Sequence, residues 1–320
     1  MPEEGHLRLS PGRERVSVVI CAYSDQRFGD LSEAIRSVER QTIGAPEIVV
    51  AVDRNPELLR RVKEAFPSVV VVPNTQHPGA GGARNSGVAA ASGDILAFID
   101  DDVGTEPDWL ERLLDVFDQP DVLGAGGAIV PRWATDRPRW FPEEFDWVVG
   151  CTYVGLPTKT ASVRNVISAN MAVRREVFEG LDGFLADFGK QGSASEPEET
   201  EFCIRALERW PSRRWIYVPA ALVHHRVTGE RESWRYFLTR CMNEGKGKAR
   251  MTGHAQVGGE LSSERRYATR VLPLGVMRGL RTGIRGDLSG PAKAAAIMIG
   301  FVVTAVSYVL ESRRRPARRT

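Results

Sequence analysis

Three consecutive carboxylates, Asp100, Asp101 and Asp102, follow an apolar run at 95–99. A strand inside a sheet cannot bury three charges at its end. They must emerge at a carboxyl edge, where ligands of open α/β sheets bind. Carboxylates this crowded repel one another, and a hard divalent cation relieves the repulsion. A solvated turn leading into a helix near Glu106-Pro107-Asp108 is the competing account of the same residues. Other candidate groups share this kind of setting. Asp53 closes an apolar run at 47–52, and Tyr23 follows another at 15–22. Arg84 and Asn85 sit in GGARNSG, just ahead of an Ala-rich run. Glycines admit close approach to a ligand and helix N-termini favour anions, although a tight loop with a surface arginine would look the same. Glu198, Glu199 and Glu201 open a helix, and His224-His225 follow a last strand. A carboxylate at a helix start is stabilised as the anion and can take up a proton, yet such acids are also ordinary helix-start residues.

The elements that must position these groups alternate. Strands are predicted at 15–22, 47–52, 68–72 and 95–99, with amphipathic helices at 31–40, 56–66 and 109–117 between and after them. β-branched apolar runs without helical period point to buried parallel strands, and the alternation points to a doubly wound α/β sheet. Residues 79–92 read as a flexible loop running into an Ala-rich helix. Beyond residue 122 the pattern loosens, and the Trp-, Arg- and Pro-rich segment 131–142 reads as a long functional loop. A strand is expected at 165–173, a helix from Arg175, a mobile Gly- and Ser-rich stretch at 189–197, a helix at 198–210 and a last strand at 216–223.

The ordered set VSVVICAY, EIVVAVD, GGARNSG, FIDDD, NMAVRR, EETEFCIRA and ALVHHRV resembles the family 2 glycosyltransferases, which have the nucleotide-binding GT-A fold: a mixed, mostly parallel sheet with helices on both faces. The resemblance spans residues 16–250. Within the family, PRWFPEEFDWVVGCTYVG, VRNVISANMAVRR and HHRVTGERESWRYFLTRCMNEGKGKA are similar to glucosyl-dolichyl-phosphate glucuronosyltransferase-like enzymes. It implies that Asp53 accepts the uracil N3–H and that Tyr23 stacks on the base; a core-edge aromatic is the other reading of Tyr23. Val52-Asp53 replaces the usual pair of aspartates, and Cys21-Ala22 the usual Pro-Thr. Arg84, Asn85, Asp100 and Asp101 would line the nucleotide-sugar site. Asp100, Asp102 and His225 would hold Mn²⁺ or Mg²⁺, with Asp100 on the ribose or the metal's water shell, although a lone histidine is more often structural. Glu199, standing where the family has aspartate, would be the catalytic base. The implied activity is inverting, metal-dependent transfer from a UDP-sugar, UDP-glucuronate or UDP-glucose, to a lipid-linked or glycan acceptor. Trp133, Arg139, Trp140 and Trp147 would face the acceptor, or two of them the core. The competing class is a membrane-bound nucleotide-sugar binder without catalysis. A dehydrogenase fits poorly, because Gly79-Ala80-Gly81-Gly82 is not GxGxxG after the first strand.

Charge is unevenly distributed. Residues 241–320 carry 15 Lys and Arg against 5 Asp and Glu, whereas 1–240 carry 28 against 36. An acidic body with a basic tail implies contact with an anionic membrane surface, and no nucleic-acid partner is expected. Residues 292–310 are apolar over a length that just suffices to cross a bilayer, and 267–285 mix apolar residues with four arginines. The basic run at 312–320 would be carried across by a single span, against the positive-inside tendency. Four scattered cysteines without CxxC argue for a reducing compartment and against a thiolate metal site. The expected organisation is a flexible tail (1–14) without a signal peptide, a GT-A domain (15–240) and a membrane-associated helical tail (241–320). The cytoplasmic face of the cell membrane is the expected location.

Overall fold

The structure is a computed structural model that describes residues 15–44, 46–185, 190–191, 194–195, 198–251 and 262–314. The stretch at 189–197 lies largely outside these residues, as do 1–14 and the end of the basic run at 315–320. The packing of the chain divides it into two compact units. The first comprises Met1–Val130, Pro157–Gln191 and Pro197–His225, and the second Pro131–Leu156, Gly192–Glu196 and Arg226–Thr320.

The first unit is built on strands β1 (Val16–Ala22), β2 (Glu47–Val52), β3 (Val70–Pro73) and β4 (Ile95–Asp100), which run parallel in the order β3-β2-β1-β4. Helices α1 (Phe28–Glu39), α2 (Pro56–Ala65) and α3 (Ala80–Ala90) alternate with them. The alternation predicted this half, because each of these strands carries the β-branched residues that a sheet covered on both faces demands. Beyond β4 the sheet turns mixed. Strand β5 (Val103–Thr105) lies at its far edge, helix α4 (Trp109–Leu114) follows, and β6 (Val122–Trp133) pairs antiparallel with β8 (Met171–Arg174). β7 (Ala161–Val163) pairs with the last strand, Arg214–Val227. β8 also pairs antiparallel with β4, and the last strand antiparallel with β5. Helices α5 (Arg175–Gly180) and α6 (Glu198–Arg209) complete the unit.

Three differences from the sequence reading have local causes. The Ala-rich helix expected within 79–92 has no flexible lead-in: it begins at Ala80, directly after Gly79 at φ 114°. β6 went unread because its glycines hide a strand. A Cβ at Gly124 would collide with the Trp215 ring and the Ala172 carbonyl, so the position must be bare for β6 to lie beside β8. The strand expected at 165–173 starts only at Met171, because Asn170 is taken up elsewhere. Its amide donates to the Ala128 and Ala221 carbonyls, each at 2.9 Å, and its oxygen accepts from Trp109 Nε1 at 2.7 Å. One face of the sheet buries Val19, Leu96, Phe98 and Val173 against Phe178, Phe184 and Phe202 of the covering segments.

In the second unit, helices α7 (Trp234–Met251), α8 (Ser262–Arg266), α9 (Leu272–Ile284) and α10 (Ser289–Arg314) pack with an aromatic cluster. Trp140 stacks on Trp234 at 4.0 Å between centroids, Trp133 meets Phe141 edge-on at 5.2 Å, and Trp147 Nε1 donates to Tyr267 Oη at 3.1 Å. Trp133, Trp140 and Trp147 each pack against neighbouring aromatic rings and stay half-buried.

Candidate active site

The carboxyl ends of the parallel strands bring the candidate residues to one edge. Register pairs Cys21 of β1 with both Ala51 of β2 and Asp100 of β4, so Tyr23, Asp53 and the aspartate run leave the sheet side by side. Tyr23 is 52% exposed, a ring open to a stacking partner. Asp53 is fixed by the loop after β3: Asn74 Nδ2 donates to one carboxylate oxygen at 2.7 Å and the Gly79 amide to the other at 3.0 Å. Asn55 caps α2 by accepting from the Leu58 amide at 2.9 Å, and its Nδ2 donates to the Tyr23 carbonyl at 3.1 Å.

The three aspartates divide between two arginines and a histidine. Asp100 accepts from Arg84 Nη2 at 2.8 Å. Asp101 and Asp102 share one cation: Arg27 Nη1 lies 2.9 Å from Asp101 Oδ1 and 3.0 Å from Asp102 Oδ2. Asp102 also meets His225, with Oδ1 3.2 Å from Nε2 and both side chains 5% exposed. Backbone pairing makes this contact, because the last strand continues past the expected residue 223 and sets His225 opposite Val103. Burial pushes the Asp101 carboxyl up to about 7 against the pull of Arg27, and its Oδ2 makes no hydrogen bond.

Arg84 is the hinge of the site. It is buried on α3, and its second nitrogen, Nη1, contacts Glu198 at the start of α6. One guanidinium thus joins the end of β4 to the start of α6, which sets Glu198 and its neighbour Glu199 beside the aspartate run. Burial works against the Arg84 cation, but Glu198 and Asp100 overcome it and raise its pKa. Gly81 lies one turn from Arg84 on α3, and a Cβ there would press on Glu198 Oε2 at 2.7 Å. Glu199 is partly exposed; burial, then the charge of Glu198, pushes its carboxyl up to about 7. Asn85 turns the other way: its Nδ2 donates to the Phe184 carbonyl at 2.8 Å and its Oδ1 accepts from the Phe184 amide at 3.0 Å. Both ends of the amide brace a loop rather than face the cleft.

The pairings of two members of this cluster escaped the sequence. Arg27 sits in a polar turn with no motif around it, and Glu198 reads as one of three helix-start acids. Charge complementarity across 74 residues in one case and 114 in the other left no local signal. Loss of Arg84 would strand Glu198 in a buried site without its cation. Arg84→Ala is therefore expected to cost about 3–5 kcal/mol, read as a lowered midpoint in urea.

With this geometry in view, comparisons with known proteins decide the family. Residues 17–182 match the model of glycosyl transferase family 2. The chain belongs to family 2 of the glycosyltransferases. This glycosyltransferase is 36% identical, over 239 residues, to the glucosyl-dolichyl phosphate glucuronosyltransferase of Haloferax volcanii, an alignment covering 73% of this chain and 76% of that one. It is 24% identical over 294 residues to the succinoglycan biosynthesis protein ExoM of Rhizobium meliloti, covering 88% and 84%. Its fold matches that of a mannosyltransferase from Pyrobaculum calidifontis, solved with GDP-Man and Mn²⁺, with a TM-score of 0.63 at 16% identity over 93% of this chain and 88% of that one. The GT-A architecture of the glycosyltransferase is thus established.

Proposed function

We propose that the chain is an inverting glycosyltransferase that moves a sugar, glucuronate or glucose, from its UDP conjugate to a lipid-linked acceptor at the membrane. One observation carries the reading: the Arg84 guanidinium pairs with both Asp100 of the aspartate run and Glu198 beside Glu199. In this reading residues 15–240 perform the transfer and 241–320 contact the membrane.

Glu199 is the base. A carboxyl pushed up to about 7 by burial holds its proton loosely enough to exchange it near neutrality. Ionised, it accepts the proton of the acceptor hydroxyl as that oxygen attacks C1 on the face opposite UDP. A lipid-phosphate acceptor would need less of this help. Arg84 fixes Asp100 and Glu198 so that the cleft keeps its width as charge develops, which is the preorganisation such transfers need. The exposed Tyr23 ring stacks on the base. The fixed Asp53 carboxylate keeps oxygen lone pairs for a uracil N–H, since each oxygen accepts more than one bond.

The donor set suits a divalent cation. Among the described residues no three His, Cys, Asp or Glu side chains converge to hold an ion, but Asp102 and His225 already touch, and Asp101 keeps one buried oxygen unbonded beside them. Asp102 and His225 would hold Mn²⁺ or Mg²⁺, and the diphosphate oxygens would supply further ligands. When bound, the ion neutralises the charge of the departing diphosphate. The dolichyl phosphate-linked relative supports the lipid acceptor, and the cytoplasmic face of the membrane is part of the same proposal.

The experiment is nucleotide release from UDP-glucuronate, UDP-glucose and GDP-mannose, with Mn²⁺ and a membrane lipid extract. Release from one UDP-sugar at least about tenfold above the guanosine donor is expected, the factor that about 1.4 kcal/mol of discrimination at the base gives. Equal or greater release from GDP-mannose overturns the uridine assignment.

A further inference from the structure

We infer that α9 and α10 form a hairpin that lies in the plane of an anionic lipid surface without crossing it, a refinement that rests on the membrane association proposed above. α10 is, among the described residues, the one helix long and apolar enough to cross a bilayer, with 26 residues and about 39 Å of length. Its surroundings in the second unit forbid that use.

α9 runs antiparallel to it at close range. Gly275 faces Glu144 and then Ile297, Gly279 faces Gly290 and Ala294, and Gly283 faces Pro291. Each contact is so tight that a Cβ on the glycine would clash, so the two backbones are held together as one slab. On the other side α7 runs parallel to α10. Gly245 abuts the Thr304 carbonyl and Ser307, Phe237 packs on Gly300, and Arg250 Nε reaches Glu311 Oε1 at 3.1 Å. α7 also bears Arg240, Glu244, Lys246 and Lys248 within its length. A crossing α10 would carry these charges into hydrocarbon with it, or lose every contact with α7. Either outcome is costly.

What remains uncovered is apolar. Leu274, Met277 and Leu280 are exposed along α9, and Ile284 and Leu288 reach 87% and 82% at the hairpin end. On α10, Met298, Val302, Val306 and Leu310 recur every four residues and are each about half exposed or more. Arginines stand at both ends of the slab: Arg281 and Arg285 beside the hairpin turn, Arg313 and Arg314 at the far end of α10, all exposed. A bilayer crossing would put those two ends on opposite sides. An in-plane slab puts both at headgroup level, where arginines meet anionic lipid while the apolar face enters the acyl boundary.

The test uses the full chain added to preformed vesicles of phosphatidylcholine with and without phosphatidylglycerol. Sedimentation with the anionic vesicles only, weakened by salt, is expected. Val302→Glu combined with Val306→Glu, both at exposed positions, should reduce partitioning by about tenfold or more, with circular dichroism confirming that the variant is folded. Single cysteines replacing Leu288 and Ser312, mapped by peptide analysis, should both react with an impermeant maleimide from outside. A cysteine at 312 that reacts only after detergent overturns the proposal, since that helix crosses. Unchanged partitioning of the double variant overturns it too, as does a stable dimer without lipid binding, because a second copy then covers the face. Lipid binding is read without sugar transfer, so its failure leaves the proposed reaction standing.

Discussion

Glu199→Gln is expected to lower kcat by roughly 10²–10⁴-fold, the usual contribution of a positioned base, while donor affinity stays within about twofold. The amide keeps the shape of the side chain and removes only the proton acceptor. The pH profile gives a second readout. Glu199 works as the anion and its carboxyl is pushed up to about 7, so activity should fall as pH drops below that value and level off above it. That acid limb should vanish in Glu199→Gln. In Glu198→Gln it should move to lower pH, because the charge of Glu198 is the second cause of the elevation. Glu199→Asp, restoring the residue usual in the family, should keep measurable turnover. An intact acid limb in Glu199→Gln would transfer the proton step to another group.

Asp102→Asn is expected to cost about 10³-fold in transfer, several kcal/mol of lost charge stabilisation at the diphosphate. Asp102 meets both His225 and Arg27, and asparagine keeps the size while losing the charge that draws an ion. Calorimetric titration of Mn²⁺ in the presence of UDP should show the same loss without any turnover. Undiminished Mn²⁺ affinity in the variant would place the ion elsewhere.

The first half of the sheet was legible because local pattern and final burial agree there: Val18, Val19 and Ile20, like Val49 and Val50, are apolar in sequence and fully buried in the fold. The mixed half was legible only in part: the last strand and α6 were read, but β6, shaped by its neighbours, was not. A Gly124 that clears the Trp215 ring looks like a turn residue until Trp215 is in place. At the site, Tyr23, Asp53 and the aspartates were visible because each ends a readable strand. The charges that hold them were not, because Arg27 pairs with Asp101 and Asp102, and Glu198 with Arg84, only across the closed fold. Asn85 shows the reverse: it stands in a recognisable motif, and its amide holds the Phe184 backbone.

The Arg27 bridge between Asp101 and Asp102 has a consequence for how the molecule is made. With Arg84 it supplies two positive groups to a knot of acids before any ion arrives. With the acids already neutralised in this way, assembly of the polypeptide would not wait for the divalent cation proposed above. Binding of that cation would then be an exchange of counter-ions on a finished scaffold.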